Sequence, residues 1–275
     1  MTILRSNYWK VIICIIIGAF ADVILHILFV PRVNYIFSPS ILAEKGLILP
    51  AATAMLIVLF TTVAMVFVLI QKYLPGTKAA KGWRFGIAFG ILTFLAMIEM
   101  NLVFDSRLLN ELRGGAADGA SLVLLALMLA LMTGTSNPNI KQQNRLSWKP
   151  FVLVPLFFLV GRYFSYALVH ILSAYTQKPW ETFFWTLGIG IWLSVMYQLL
   201  REERNDIPAT IRALRFGCLT FGSYWLIYNL FVLVYVKMSV LDLFLRIIID
   251  VVFVTASIWI VEGIEHRTLL HRKTV

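Results

Sequence analysis

Charged residues and cysteine are both scarce in this chain. Asp, Glu, Lys and Arg make up 14% of the 275 residues and hydrophobic residues 60%, whereas a soluble domain carries about 25% charged residues. This balance excludes an ordinary soluble domain and predicts an integral membrane protein. The two cysteines, Cys14 and Cys218, both lie in apolar stretches, which argues against a disulfide framework and against a thiolate metal site.

The sequence also lacks the short motifs that mark common catalytic and cofactor sites. It contains no G-x-S-x-G, no H-E-x-x-H, no Walker motif and no C-x-x-C-H, which argues against the classes that these motifs define. No Asn-x-Ser/Thr sequence occurs either, which fits a prokaryotic or organellar origin, and the predicted location is the plasma (inner) membrane of a prokaryote. These absences favour a protein that is not an enzyme, and they leave the cofactor unknown.

Eight apolar stretches each approach the roughly 20 residues needed to cross the hydrocarbon core of a bilayer. The fourth is the weakest, because its strongly apolar part begins only at Ser121. The connections are short, and no soluble domain interrupts the stretches. The chain is therefore predicted to be an all-α integral membrane protein with eight transmembrane helices, at residues 9–30, 48–72, 84–105, 108–133, 151–174, 181–200, 212–236 and 239–262.

The distribution of Lys and Arg predicts the orientation of these helices. Of the 24 basic residues, 16 fall at the termini and in the loops on the same side as the termini, and six fall in the opposite loops. Because cytoplasmic loops carry an excess of Lys and Arg, both termini are predicted to be cytoplasmic. The same bias explains the net charge of +10 without a nucleic-acid partner. The predicted partner is the lipid bilayer.

Two short sequence matches relate the halves of the chain. VILHIL at 23–28 resembles ALVHIL at 167–172, and WRFGIAFG at 83–90 resembles LRFGCLTFG at 214–222 with one residue inserted. Aligned on their second Phe-Gly pairs, the halves place Asp118 opposite Asp250. The matches predict two parallel four-helix repeats, with a first half at 1–137, a cytoplasmic linker at 138–150 and a second half at 151–275.

This alignment extends the fourth helix back to Leu108, so that its first half reads LLNELRGGAADGA. Such a small, polar stretch suits the wall of a cavity or a close helix contact better than a lipid-facing surface. The alternative is an external loop over 106–117, with Asp118 as the N-cap of a shorter helix. In the third helix, Gly86 and Gly90 have the G-x-x-x-G spacing that predicts a close helix contact.

The polar residues inside the predicted helices cluster towards one side of the membrane. Arg162 and Asp250 lie near the middle, and the outer halves hold Asp22, His26, Glu99, Asn101, Asp118, His170, Asn229 and Arg246. The inner halves carry little beyond Ser, Thr and Gly. Because intramembrane charges are costly and usually serve a ligand or an ion, this distribution predicts a polar pocket that opens outward above an apolar plug.

Asp22 and His26 lie one helical turn apart on the first helix, and His170 is the counterpart of His26 in the second half. A carboxylate beside an imidazole suits a proton relay or a contact with a polar ligand. The same histidine also fits a structural hydrogen bond, or a haem or metal ligand. His26 and His170 would ligate one haem only if their helices faced each other.

The eighth helix carries Arg246 and Asp250 one turn apart, where each offsets part of the cost of burying the other. Arg246 is expected either to fix helix packing through an ion pair with Asp250, Asp22 or Glu99, or to receive an anionic head group or carboxylate together with Arg162. The carboxylates outnumber these arginines, and a cationic ligand or a bound proton would relieve the excess.

Three functional hypotheses follow from these features. The leading one is a transporter or binding protein for a small or lipid-like ligand taken from the outer side. There Asp22, His26 and Asp250 would manage protons or a cation and Arg246 would hold an anionic group. The second is an electron-transfer subunit that binds haem or quinone through His26 and His170. The third is a structural subunit of a larger membrane complex, in which the buried charges hold the helices together.

Overall fold

The computed structural model describes residues 2–31, 38–136, 147–201 and 207–273, with the backbone alone at residues 2–7 and 266–273. These residues form helices and no strand. Eight helical segments among them are long and apolar enough to span a membrane, which confirms the predicted multi-pass, all-α fold. Of the predicted linker at 138–150, the part up to residue 146 lies outside the described residues.

The helices follow one another along the chain with short connections. The seventh span is assembled from α8, a π-helix, α9 and α10, and the short α2 precedes the second span. In chain order the elements are α1 (Thr2–Phe29), α2 (Ile41–Glu44), α3 (Ile48–Ile70), α4 (Lys78–Phe104), α5 (Leu108–Thr133), α6 (Lys149–Ala167), α7 (Pro179–Leu200), α8 (Ala209–Leu214), the π-helix (Arg215–Gly222), α9 (Ser223–Leu230), α10 (Val232–Tyr235) and α11 (Val240–Lys273).

The helix ends follow local sequence signals. Thr77 caps α4, because its hydroxyl accepts a hydrogen bond from the Ala80 backbone N–H at 3.3 Å. Asp105 ends α4 in the left-handed conformation, with φ of 52°. The next helix, α5, begins at Leu108 and runs without interruption to Thr133. The extended fourth helix is thereby confirmed, and the alternative of a loop over 106–117 is wrong.

The fifth span is shorter than predicted. Its helix ends at Ala167 instead of continuing to 174, and His170 lies beyond that end with a left-handed φ of 57°. The chain leaves the helix because Leu172 is held by the eighth span. Its backbone N–H donates to the Asp242 carboxylate at 3.2 Å, and its carbonyl accepts a hydrogen bond from Arg246. His170 is therefore exposed on a non-helical segment and is not part of a transmembrane helix.

Helices α4 and α5 approach each other closely along the glycine face of α4. A Cβ atom on Gly86 would lie 2.8 Å from Cα of Val123, and one on Gly90 would lie 2.8 Å from the backbone oxygen of Gly119. Any larger side chain at either position would force the two backbones apart. The close helix contact predicted from G-x-x-x-G is thus confirmed.

The corresponding face in the second half is built differently. Gly217 and Gly222 are five residues apart, but both lie in the π-helix, whose wider turn keeps them on one face against α11. A Cβ on Gly217 would meet Cα of Thr255 at 2.7 Å, and one on Gly222 would meet the Val251 side chain at 3.1 Å. The residue inserted in LRFGCLTFG is accommodated by this π-helix, because an i→i+5 turn absorbs one extra residue.

The two halves meet through polar contacts set among aromatic side chains. From α7, the Trp185 indole donates to the carbonyl of Leu95 at 2.8 Å and the Trp192 indole to that of Ala88 at 2.9 Å. From α9, the Tyr224 hydroxyl bonds to Thr93. Helix α4 is thereby fixed against both α7 and α9.

Candidate functional site

A cavity of about 370 Å³ lies at the end of the bundle where α1 and α4 finish and α3, α5 and α11 begin. Six of the eight spans contribute to its wall. Most of the lining is apolar, which gives a bound molecule a surface for hydrocarbon contact. Representative apolar lining residues are Ile27, Leu49, Leu56, Phe60, Met100 and Phe104.

The rim of the cavity is fixed by the connection that precedes α2. Ser40 donates its hydroxyl to the carbonyl of Val234 at 2.6 Å, and its backbone N–H donates to Tyr235 at 3.1 Å. The backbone N–H of Lys237 donates in turn to Ser38 at 3.1 Å. These bonds hold α10 and its Tyr235 in place as one side of the wall.

Polar side chains converge on one part of this otherwise apolar lining. Six of the ten intramembrane polar residues predicted from sequence line the cavity, and Glu111 joins them from the first part of α5. Asp22, Glu111, Asn229 and Arg246 are buried, with at most 6% of each residue exposed. The six predicted lining residues are Asp22, His26, Glu99, Asp118, Asn229 and Arg246.

The histidine of this group is held between two carboxylates. His26 Nδ1 lies 3.1 Å from the backbone oxygen of Asp22 and 3.5 Å from its Oδ2, and Nε2 lies 3.5 Å from Oδ1 of Asp118. Asp22 and His26 come from successive turns of α1, and Asp118 comes from α5. The close packing of α1 on α5 is helped by Gly18, where a Cβ would approach Leu125 of α5 at 3.3 Å.

A second charged group centres on Glu99 at the back of the cavity. One oxygen of Glu99 accepts hydrogen bonds from Arg162 and from Arg246, each at 2.8 Å. Arg162 also forms an ion pair with Asp250 at 2.8 Å, and Asp250 accepts a hydrogen bond from the Trp225 indole at 2.8 Å. These contacts join α4, α6, α9 and α11 through charged hydrogen bonds, which are stronger than neutral ones.

This group selects one of the three ion-pair partners that the sequence offered for Arg246. Among the described side chains, Arg246 forms its ion pair with Glu99 rather than with Asp250, although the latter lies one turn away on the same helix. Arg162 is fully buried and faces the rings of Phe158 and Trp185, with ring centres 5.3 and 5.2 Å from its guanidinium carbon. Arg162 and Asp250 therefore support the cavity from behind and do not line it.

His170 was also predicted as a site residue, and the structure does not bring it to the cavity. It is exposed, whereas His26 lines the cavity between Asp22 and Asp118. The hypothesis of one haem between His26 and His170 assumed that both histidines stand on transmembrane helices. That premise holds for His26 alone.

Glu111 and Tyr228 both line the cavity, and neither was predicted from the sequence as a site residue. The signal for Glu111 was present, because Glu111, Gly114 and Asp118 recur at the spacing of one helix face once α5 begins at Leu108. The carboxylates of the cavity and its supporting group outnumber the two arginines by three. They are Asp22, Glu99, Glu111, Asp118 and Asp250.

The opposite end of the bundle also contains charge, contrary to the expectation that the inner halves hold little beyond Ser, Thr and Gly. Glu262 is 1% exposed and forms an ion pair with Arg212 at 2.7 Å. The Tyr197 hydroxyl donates to the same carboxylate, and Arg201 lies 3.8 Å from it. Glu262 is the last residue of the predicted eighth span, and in the structure it is enclosed by neighbouring helices.

Comparison with protein-family models, with curated proteins and with solved structures finds no match for this chain. Its eight apolar helices are those of a multi-pass membrane protein. Its candidate functional feature is a largely apolar cavity with an acidic polar base.

Proposed function

We propose that this protein is a transporter or binding protein for a small or lipid-like ligand that enters the cavity from the outer side of the membrane. The observation that carries the proposal is the cavity itself, whose apolar wall ends at a compact polar group. Its volume of about 370 Å³ falls in the range of small-molecule sites, roughly 300–1,000 Å³. An amphipathic molecule matches such a lining, with its hydrocarbon part on the wall and its polar head on the base.

The proposed orientation places this cavity on the outer side. The excess of Lys and Arg assigns both termini to the cytoplasm, and the cavity lies at the other end of the spans, near the connections at 38–40, 105–107 and 236–239. The membrane that we propose is the inner membrane of a prokaryote. A ligand would then reach the cavity from outside or from the outer leaflet.

We also infer that the two halves arose by duplication. The support is that equivalent residues of the two halves make equivalent helix contacts. These contacts are independent of the sequence match. In the alignment that pairs Asp118 with Asp250, Gly119 corresponds to Val251, and these are the residues that approach Gly90 and Gly222. The first pair of glycines behaves likewise, since Gly86 meets Val123 and Gly217 meets the corresponding Thr255.

After a duplication, the two halves can diverge and carry equivalent residues in different roles. Asp118 contributes to the cavity, whereas its counterpart Asp250 is neutralised by Arg162. The first half therefore supplies most of the ligand-facing groups. The second half supplies the charge pairs that hold Glu99 and Arg246 in position.

Different parts of the cavity would then contact different parts of the ligand. Asp22, His26 and Asp118 form the polar base. The Nη1 group of Arg246 is already paired with the Glu99 carboxylate. Arg246 is thus a fixed partner of Glu99, and an anionic ligand group would have to share it. This arrangement favours a head group that donates hydrogen bonds or carries positive charge.

The test is to fill the cavity without touching its polar base. Ala52 lines the cavity from α3, whereas Ala54 on the same helix is exposed outside it. An indole at Ala52 would occupy space that the ligand needs, and Ala54→Trp is the matched control. The wild type and both variants, purified in mild detergent, would be compared by native mass spectrometry for retained small molecules and lipids.

The proposal predicts a retained molecule in the wild type and in Ala54→Trp, and its loss from Ala52→Trp. Equal retention in all three proteins would place the molecule elsewhere. A wild type that retains nothing beyond detergent, even when supplemented with total lipid extract from its host cells, would count equally against the proposal.

A further inference from the structure

Three potential metal ligands meet at the polar base of the cavity. One ligand atom each from Asp22, His26 and Asp118 lies within 4.8 Å of the other two. The side chains of His26 and Asp118 remain 36% and 23% exposed, so an ion in the cavity has access to both. Asp22 is 5% exposed and completes the group from its buried side.

The distances are close to those of a coordinated divalent ion. Zn²⁺ binds nitrogen and oxygen at about 2.0–2.2 Å, so two ligand atoms at the tetrahedral angle stand about 3.4 Å apart. His26 Nε2 and Asp118 Oδ1 are 3.5 Å apart. The Asp22 carboxylate lies within reach by rotation of its side chain, since its ligand atom already lies within 4.8 Å of the others.

The imidazole is also oriented as metal-binding histidines usually are. Its Nδ1 lies 3.1 Å from the backbone oxygen of Asp22, which selects the tautomer with hydrogen on Nδ1. Nε2 then presents its lone pair towards Asp118. A histidine whose second nitrogen donates to a carbonyl or carboxylate is the usual arrangement around protein-bound zinc.

The group holds a buried carboxylate oxygen without a partner and an excess of negative charge. Oδ1 of Asp22 is buried and finds no hydrogen-bond partner among the described residues, and a buried carboxylate oxygen without a partner is costly. A second carboxylate, Asp118, stands beside it. The arginines that offset the acidic excess are engaged elsewhere, because Arg162 and Arg246 both pair with Glu99.

From this geometry we propose that Asp22, His26 and Asp118 bind one divalent transition-metal ion, for which Zn²⁺ is the best match. Two carboxylates and one imidazole are a borderline donor set of the kind that suits zinc, whereas Ca²⁺ and Mg²⁺ prefer oxygen ligands alone. Three protein ligands leave at least one coordination position open towards the cavity, as in sites where zinc contacts a small molecule. The proposal does not depend on an organic ligand: the ion would occupy the acidic base in place of a positively charged head group, and the apolar wall of the cavity would stay available to a ligand.

The experiment titrates Co²⁺, a spectroscopic substitute for Zn²⁺, into the full-length protein after removal of metal by a chelator. The wild type should bind one Co²⁺ per chain with the intense visible absorption of a four- or five-coordinate site, and Zn²⁺ should abolish the absorption. His26→Gln and Asp118→Asn should each weaken binding by at least about 100-fold, since even the loss of outer-shell partners costs 10–100-fold.

Glu111→Gln is the matched control, because Glu111 lines the same cavity but lies outside the three-residue group. It removes one negative charge, as Asp118→Asn does, and should leave Co²⁺ affinity within a few-fold of the wild type. If His26→Gln fails to elute as a monodisperse species, X-ray absorption of the Zn²⁺-loaded wild type replaces it and should show only nitrogen and oxygen ligands with one imidazole.

Three results would overturn the proposal. These are a wild type that binds no Co²⁺ at micromolar concentration, equal binding by Asp118→Asn and Glu111→Gln, or a zinc environment without imidazole. None of them bears on the retention experiment with Ala52→Trp and Ala54→Trp, so the failure of the metal site and the failure of the ligand cavity are distinguishable.

Discussion

Gly90 of α4 and Gly119 of α5 are in backbone contact, since a Cβ on either one would lie 2.8 Å from the main-chain oxygen of the other. Contacts this close let two helices gain dispersion energy along their backbones, which is a main source of association between helices in lipid. The polar base of the cavity depends on this contact, because Asp118 directly precedes Gly119 on α5.

Gly90→Ala should therefore destabilise the protein. The added methyl group must push α5 away or distort α4, and overpacking of this kind costs about 1–3 kcal/mol. The control is Gly188→Ala in α7, where a Cβ would meet nothing within 4 Å and where alanine favours the helix by about 0.5–1 kcal/mol. Apparent melting temperature in detergent, followed by size-exclusion chromatography after heating, should fall for Gly90→Ala and stay or rise for Gly188→Ala. Equal melting temperatures would contradict the close contact.

Removal of Arg162 should leave a buried carboxylate without compensation. Arg162→Met leaves Asp250, which is 1% exposed, without its ion-pair partner. Breaking a buried pair in this way costs about 3–5 kcal/mol of stability. Glu99 keeps Arg246 as a partner, so the damage centres on Asp250. The same thermal assay measures the loss, with the exposed Arg107→Ala as a control that should be nearly neutral.

The double variant Arg162→Met, Asp250→Asn tests this account more sharply. Asparagine keeps an oxygen for the Trp225 indole but carries no charge, so the double variant should be more stable than Arg162→Met alone. A double variant no more stable than that single variant would show that the two residues are not energetically coupled.

The π-helix predicts an unequal response to single-residue deletions. Removal of Cys218, which is exposed, should convert the π turn to an α turn and still leave Gly217 and Gly222 facing α11. Removal of Ile87 from the regular helix α4 should rotate everything before or after it by about 100° and break the contacts of Gly86 or Gly90. Expression and monodispersity should survive the first deletion and not the second. The reverse ranking would contradict the role given to the inserted residue.

Much of the fold was predictable because the spans carry their own signals. Eight hydrophobic stretches marked eight helices, and the small residues after Leu108 marked the first half of α5, which proved helical. The end of the fifth span was not predictable, because tertiary contacts decide it. Residues up to 174 are apolar enough to continue the helix, but Leu172 is held by Asp242 and Arg246.

The candidate site was predictable as a set of residues and not as a set of pairs. Arg246 was expected to pair with Asp250, Asp22 or Glu99, and the sequence could not decide among them. In the structure it binds Glu99, while Asp250 binds Arg162, and both partners are distant in sequence. Depth in the membrane could be inferred from topology, but rotation of each helix could not. For that reason Arg162 was expected to face a ligand, and in the structure it is enclosed by aromatic rings.

The most direct test of the central claim is the rate at which a membrane-impermeant maleimide labels a cysteine in the cavity of intact cells. In a Cys14→Ala, Cys218→Ser background, Asn110→Cys places the thiol in the cavity lining, and Ala79→Cys places one on the exposed start of α4 at the opposite end.

An outward-opening cavity predicts that Asn110→Cys is labelled in intact cells, that adding Ala52→Trp slows its labelling, and that Ala79→Cys is labelled only after the cells are permeabilised. Labelling of Ala79→Cys in intact cells with protection of Asn110→Cys would contradict the outward orientation. Labelling of Asn110→Cys at a rate unaffected by Ala52→Trp would contradict the cavity as the route of access.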